Sequence, residues 1–167
     1  MAEPLHPLFV HLPLALSALM PLVAGGLLLA WHKGWLPRRA FAIAVLLQAA
    51  LTVSGFAARY TGEQDEERVE AVVGDDPIHA HEEAADFFVI AAAGTLLLLI
   101  LGLALKGRAG KGLALVGTLA SGAVLFAGIR VGHLGGEIVY QHGGAAAWKA
   151  GAAPPAGAHD EGDDDHD

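Results

Sequence analysis

The 167 residues include no cysteine, which removes disulfides, thiolate metal sites, cysteine-ligated iron–sulfur clusters and covalent c-type haem. Hydrophobic residues make up 54% of the chain and fall in four long blocks, each near the ~20 residues that a hydrocarbon core of ~30 Å demands. The net charge of −8 gathers in one loop and the tail, so the chain lacks the basic patch that nucleic-acid binding needs.

The chain opens Met1-Ala2-Glu3-Pro4, without a basic n-region, and the apolar stretch that follows is too long for a signal-peptide core. It reads as a retained membrane helix over about residues 8–31, entered past Pro7 and Pro13. The second span is predicted over about 40–60. A third helix starts at Asp76-Pro77, an N-cap residue followed by proline at the first helical position, and crosses the membrane over about 84–105. The fourth span covers about 112–132. The predicted fold is therefore all-α, an integral membrane four-helix bundle over residues 1–143. Residues 144–167, Ala/Gly/Pro-rich and then acidic with His159 and His166, read as a disordered, solubilising tail with weak divalent-cation binding as the alternative.

Charge sets the predicted orientation. His32, Lys33, Arg38 and Arg39 join the first two spans, and Lys106, Arg108 and Lys111 join the last two. The positive-inside rule places both short loops in the cytoplasm. The remaining loop, Thr61 to Asp76, carries seven acidic residues against Arg68 alone and is expected outside, with both termini. Trp31 and Trp35 fit an inner aromatic belt and Tyr60 an outer one.

Counting from the inner helix ends at ~1.5 Å per residue places His11 and His133 near 30 Å, His6, His81 and His79 near 36–40 Å, and His142 near 45 Å. Three helices thus bring histidines to one slab at the outer face. Single interfacial histidines often do no more than tolerate the headgroup region. Matched depth on three helices favours a site. By helical periodicity His11 heads a small-residue stripe with Ala15, Ala18, Leu22 and Gly25, and is expected to point inward. His81 shares a side with Ala84, Ala85, Phe88 and Ala92, the expected bundle face. In the last helix Gly117, Ser121, Gly128, Gly132 and Gly135 form a stripe that Val139 and His142 continue, while His133 points elsewhere beside Arg130 and Glu137. Gln48, Thr52, Gly55 and Arg59 line one side of the second helix.

Two imidazoles on facing helices can hold haem b without cysteine. His11, His81, His142, His6 and His133 are the candidate ligands of a haem or metal, with Arg59 and Arg130 as partners for propionates or another anion. The alternatives are a zinc or copper site built from the same histidines with nearby carboxylates, and a cofactor-free scaffold subunit. No phosphate loop, nucleophile elbow or HExxH motif occurs, so nothing points to an enzyme.

The opening His6-Pro7-Leu8-Phe9-Val10-His11-Leu12-Pro13, the pair Thr61-Gly62, His81 or His79, and the closing Gly135-Gly136-Glu137-Ile138-Val139-Tyr140-Gln141-His142-Gly143 together resemble a family of predicted bacterial membrane proteins known mainly as a domain of unknown function. The resemblance spans residues 6–143. It implies four spans in a bacterial inner membrane and points to His6, His11, His81 and His142, leaving His133 as an extra. Members are similar to proteins found beside redox partners, which implies electron transfer. The expected route on the present reading runs between a quinol or other membrane partner and an outside partner, with a homodimer allowed. The continuation Gly144-Ala145-Ala146 departs from the family's Val-Gly-Val-like ending.

Overall fold

The computed structural model describes residues 6–148. In chain order these form α1 (His6–Phe9), α2 (His11–His32), a 3-10 helix (Arg38–Phe41), α3 (Ala42–Val73), α4 (Asp75–Ala104), α5 (Gly107–Tyr140) and a closing 3-10 helix (Gly144–Trp148). No strand occurs among them. The segments His6–His32, Arg38–Val73, Asp75–Ala104 and Gly107–Tyr140 are each long and apolar enough to cross a membrane. The bundle has a basic end, at the α2–α3 and α4–α5 connections, and an acidic end, where α3 meets α4.

Two prolines shape the entry. Pro13 has no N–H to offer the Phe9 carbonyl, and the helical ladder breaks at Val10, separating α1 from α2. Val10 still accepts from the Leu14 amide at 3.3 Å, so α1 stays close to the line of α2.

The acidic stretch 61–73, expected as a loop, is helical: α3 runs unbroken for 32 residues to Val73. Glutamate and alanine are strong helix formers, and their charge says nothing against helix. The whole α3–α4 connection is Gly74 at φ +87°, a backbone angle that residues with a Cβ rarely adopt. Two long helices therefore fold back on one residue.

The core comprises Met20 and Ala24 of α2, Phe41, Ala44 and Leu51, then Phe88, Val89, Ala92 and Leu99 of α4, and Ala114, Val124 and Ala127 of α5. α4 and α5 approach closest. A Cβ on Gly102 would lie 2.6 Å from the Ala114 backbone nitrogen, and one on Gly117 would lie 2.8 Å from Leu99. Small residues permit this approach, the usual device where lipid is as apolar as the core. Gln48, fully buried, donates from Nε2 to the Ala92 carbonyl at 3.1 Å and joins α3 to α4.

Helix faces follow the expected pattern on α3 and α4. Gln48, Thr52 and Gly55 are buried, as are Ala84, Phe88 and Ala92, with His81 half-buried on the same side. On α2 the expectation is corrected: Pro13, Ser17, Met20 and Ala24 face inward, while His11 is exposed and Leu22 is 76% exposed. Both sides of α2 are apolar, so hydrophobicity could not choose between them. Ser17 settles it by fitting against Gly128, where a Cβ would come within 3.0 Å of its hydroxyl. On α5 the stripe holds at Gly117, Ser121 and Gly128 but does not reach Val139 or His142, which are exposed. The helix does not break at Gly135-Gly136; it ends at Tyr140, and the chain turns at Gly143 with φ +71°.

The expected boundary at residue 143 cuts through ordered structure. Gly144–Trp148 returns as a 3-10 helix onto α3, with Gly144 and Ala147 buried and the Arg68 guanidinium 4.7 Å from the centre of the Trp148 ring. The remaining tail, with His159 and His166, lies outside the described residues.

Candidate functional site

The acidic end holds a cavity of about 500 Å³. Its walls are mainly apolar: Pro7 from α1, Val69 from α3, Ile78 and Ala85 from α4, Ile138 from α5 and Trp148 from the closing 3-10 helix. His6 and His81 enter it from α1 and α4. Their rings stand edge to face, with centroids 6.2 Å apart and planes at 89°.

Each ring is seated by a glycine, and His6 by a backbone carbonyl as well. His6 Nδ1 lies 2.8 Å from the Ala58 carbonyl oxygen, which can only accept, so Nδ1 carries the proton and Nε2 is left with its lone pair in the neutral ring. A Cβ on Gly62 would stand 3.2 Å from the same ring. His81 Nδ1 is buried with no hydrogen-bond partner. A Cβ on Gly135 would stand 3.2 Å from its Cε1. A ring nitrogen spent on a backbone carbonyl, with the other free, is the arrangement that orients a ligating histidine. One residue from each segment that carries the family resemblance in sequence, His6, Gly62, His81 and Gly135, therefore meets the others at one point.

The rim is acidic. Glu63, Asp65, Glu66 and Glu82 border the cavity. Glu66 holds its proton above the usual carboxylate range, first because it is partly withdrawn from water and then because Glu82, Glu63 and Asp75 crowd it with negative charge. Arg59, also on the rim, is joined to Glu63 and to Asp86, and so ties α3 to α4.

The other sequence candidates lie apart from this pair. His11 is exposed on α2. His133 is exposed on α5, 3.4 Å from the Glu137 carboxylate one turn on. His142 is exposed beyond the end of α5, and His79 stands 3.7 Å from Glu82 with its side chain 85% exposed. Arg130 is exposed and faces a different hollow, with Glu83 and Phe87. Histidines that share a depth thus point in different directions, because depth fixes height along a helix and leaves azimuth free. Glu66 and Trp148 were missed as site residues: Glu66 read as part of an acidic loop and Trp148 as part of an Ala/Gly/Pro-rich tail. Only the Thr61-Gly62 pair hinted that chain beyond the second span matters. Among the described residues no group of three or more histidine, aspartate or glutamate side chains is gathered as a metal site would require.

Fold and site define an integral membrane bundle of four long helices with a histidine-lined cavity at one end. Residues 2–147 match a family described as predicted membrane protein, DUF2231, and the chain belongs to that family. No curated protein and no solved structure matches it.

Proposed function

We propose that the protein is a b-type haem protein of a bacterial inner membrane, in which His6 and His81 would hold the haem and the cavity lies on the outer side. One observation carries the reading: the 6.2 Å between ring centroids. Imidazole nitrogens each ~2.1 Å from a shared ion put their ring centres roughly 6.4 Å apart when the ion lies between them. Edge-to-face ring pairs with nothing between them also span ~4.5–7 Å, and the ring that presents its face must turn to bring a nitrogen to the ion.

The residues fit a largely apolar planar group. The cavity walls are aliphatic with one indole, and Gly62 and Gly135 keep the flanks of the rings clear. The haem would supply one-electron redox chemistry. Arg59 stands at the rim for a propionate, with Glu63 and Asp86 as its competing partners. The Ala58 carbonyl holds the His6 orientation, and the closing 3-10 helix with Trp148 walls the cavity beside the rings. The basic α2–α3 and α4–α5 connections support an outward-facing acidic end through the positive-inside rule. Electron transfer between a membrane donor and an outside partner is the role this placement suits.

The acidic rim favours a second reading, a divalent cation such as zinc or copper held by the same histidine pair, with rim carboxylates moving in. The absorption spectrum of the purified protein separates the two. A Soret band with a b-type α-band on reduction, lost in His6→Ala and His81→Ala and kept in His133→Ala, is expected for haem. A colourless protein with stoichiometric zinc, or one with copper but no Soret band, selects the cation. Neither chromophore nor metal would end both readings.

A further inference from the structure

A second hollow, of about 480 Å³, opens between α4 and α5 near the acidic end. Its floor is small, Ala84 and Ala127, both buried, with Ala123 on the exposed side. Phe87 and Phe126 rise on either side, 63% and 74% exposed, where a membrane protein meets lipid. At its mouth stand Glu83 from α4 and Arg130 from α5. Counting from the basic end at ~1.5 Å per residue, the phenylalanines lie ~22–27 Å up and the charged pair ~28–33 Å up, astride the edge of a ~30 Å hydrocarbon layer.

The two charges are opposite in sign and sit on neighbouring helices, yet they form no ion pair with each other or with any other described residue. A carboxylate and a guanidinium that share a mouth without meeting leave an acceptor and a set of donors open to an occupant. That occupant must have a flat apolar body below and both hydrogen-bond donors and acceptors above.

We propose that this hollow binds the ring of a membrane-soluble quinone. The alanine floor lets a planar ring lie against the two helices, and the phenylalanine edges flank it. Arg130 donates to a ring carbonyl, and Glu83 accepts from the hydroxyl of the reduced form. The volume falls in the range of small-molecule sites. A phosphate would meet Arg130 but would be repelled by Glu83. Ala84 lies one turn from His81 on α4, so the hollow backs onto the wall of the histidine cavity. Use of the quinone as an electron source rests on the haem reading; its binding does not.

The test is titration of the full-length, detergent-solubilised protein with a short-chain benzoquinone bearing a photoreactive group. Labelled peptides are mapped by mass spectrometry. Labelling is expected around Phe87 and Phe126. Ala123→Phe, which fills the hollow from its exposed side, and Arg130→Gln should each weaken binding at least tenfold. His81→Ala should lose any haem spectrum and keep quinone binding, so failure of one idea is read separately from failure of the other. Equal binding by both variants, or labelling no stronger than that of empty micelles, overturns the proposal. So does a phosphatidylethanolamine that copurifies with the wild type and is lost in Arg130→Gln while quinone labelling stays unchanged. Arg130→Gln decides the matter should Ala123→Phe fold poorly.

Discussion

Gly135→Ala probes the histidine pair through a single methyl group. Its Cβ would stand 3.2 Å from His81 Cε1 and 3.6 Å from Nδ1. Ordinary carbon contacts lie at ~3.5–4.0 Å, so the ring must retreat by about 0.3–0.5 Å. Ligand bonds to a metal tolerate ~0.2 Å, so a displacement of that size removes the ring from bonding position. Loss of imidazole orientation typically costs ~10–100-fold in affinity, or about 1.4–2.7 kcal/mol. Stability should hardly change. Alanine is favoured over glycine in a helix by ~0.8–1.0 kcal/mol, which offsets about 1 kcal/mol of crowding. Gly102→Ala is the contrast: its Cβ meets the Ala114 backbone at 2.6 Å, which cannot swing aside, so ~1–3 kcal/mol or more is lost without touching the site. The assay is haem per folded protein from the Soret band, with thermal unfolding in detergent alongside. The reasoning fails if Gly135→Ala retains full haem, or if Gly102→Ala sheds haem while unfolding at the wild-type temperature.

The rim carboxylates give a pH prediction. Because Glu66 keeps its proton above the usual range in the folded state, the folded protein binds more protons than the unfolded chain between those two values, and stability falls as pH rises through that window. Glu66→Gln should flatten the Tm-against-pH curve there; an unchanged slope would assign the effect to other groups. Gln48→Leu removes one hydrogen bond to Ala92 but also a buried amide oxygen with no partner, so its Tm should stay level or rise by up to ~1 kcal/mol of stability. Gln48→Glu should cost ~2.5 kcal/mol or more at that depth and is the control for burial. Trp148→Ala removes the Arg68 contact, worth ~0.5–1 kcal/mol, and uncovers one wall of the cavity. Diethylpyrocarbonate should then modify His81 faster, measured by peptide mass spectrometry; equal rates would show that the indole shields nothing.

Four spans were legible because hydrophobic length is a property of sequence alone. The bundle-facing sides of α3 and α4 were legible too, since Gln48, Thr52 and His81 are polar marks on otherwise apolar helices. α2 carries a single such mark along its middle, Ser17, which was passed over, and the face holding Leu22 was mistaken for the inner one. The site was half legible. His81 was placed by its stripe and His6 only by resemblance, because Pro7 and Pro13 hide the register of α1. His11, His133 and His142 shared the right height and the wrong azimuth. The Trp148 wall was unreadable because its packing depends on a turn at Gly143 and on a helical α3 extension that charge had disguised as loop.

At 32 residues α3 measures ~48 Å, about 18 Å more than the oily layer it crosses. The surplus forms a rigid mast above the lipid, with Glu67 and Glu70 on its open flank. Any cation approaching that end from solution would be attracted by this charge before it reached the bilayer. Such attraction fades over a Debye length of ~8 Å at physiological salt, so the rate of encounter should drop steeply as ionic strength climbs.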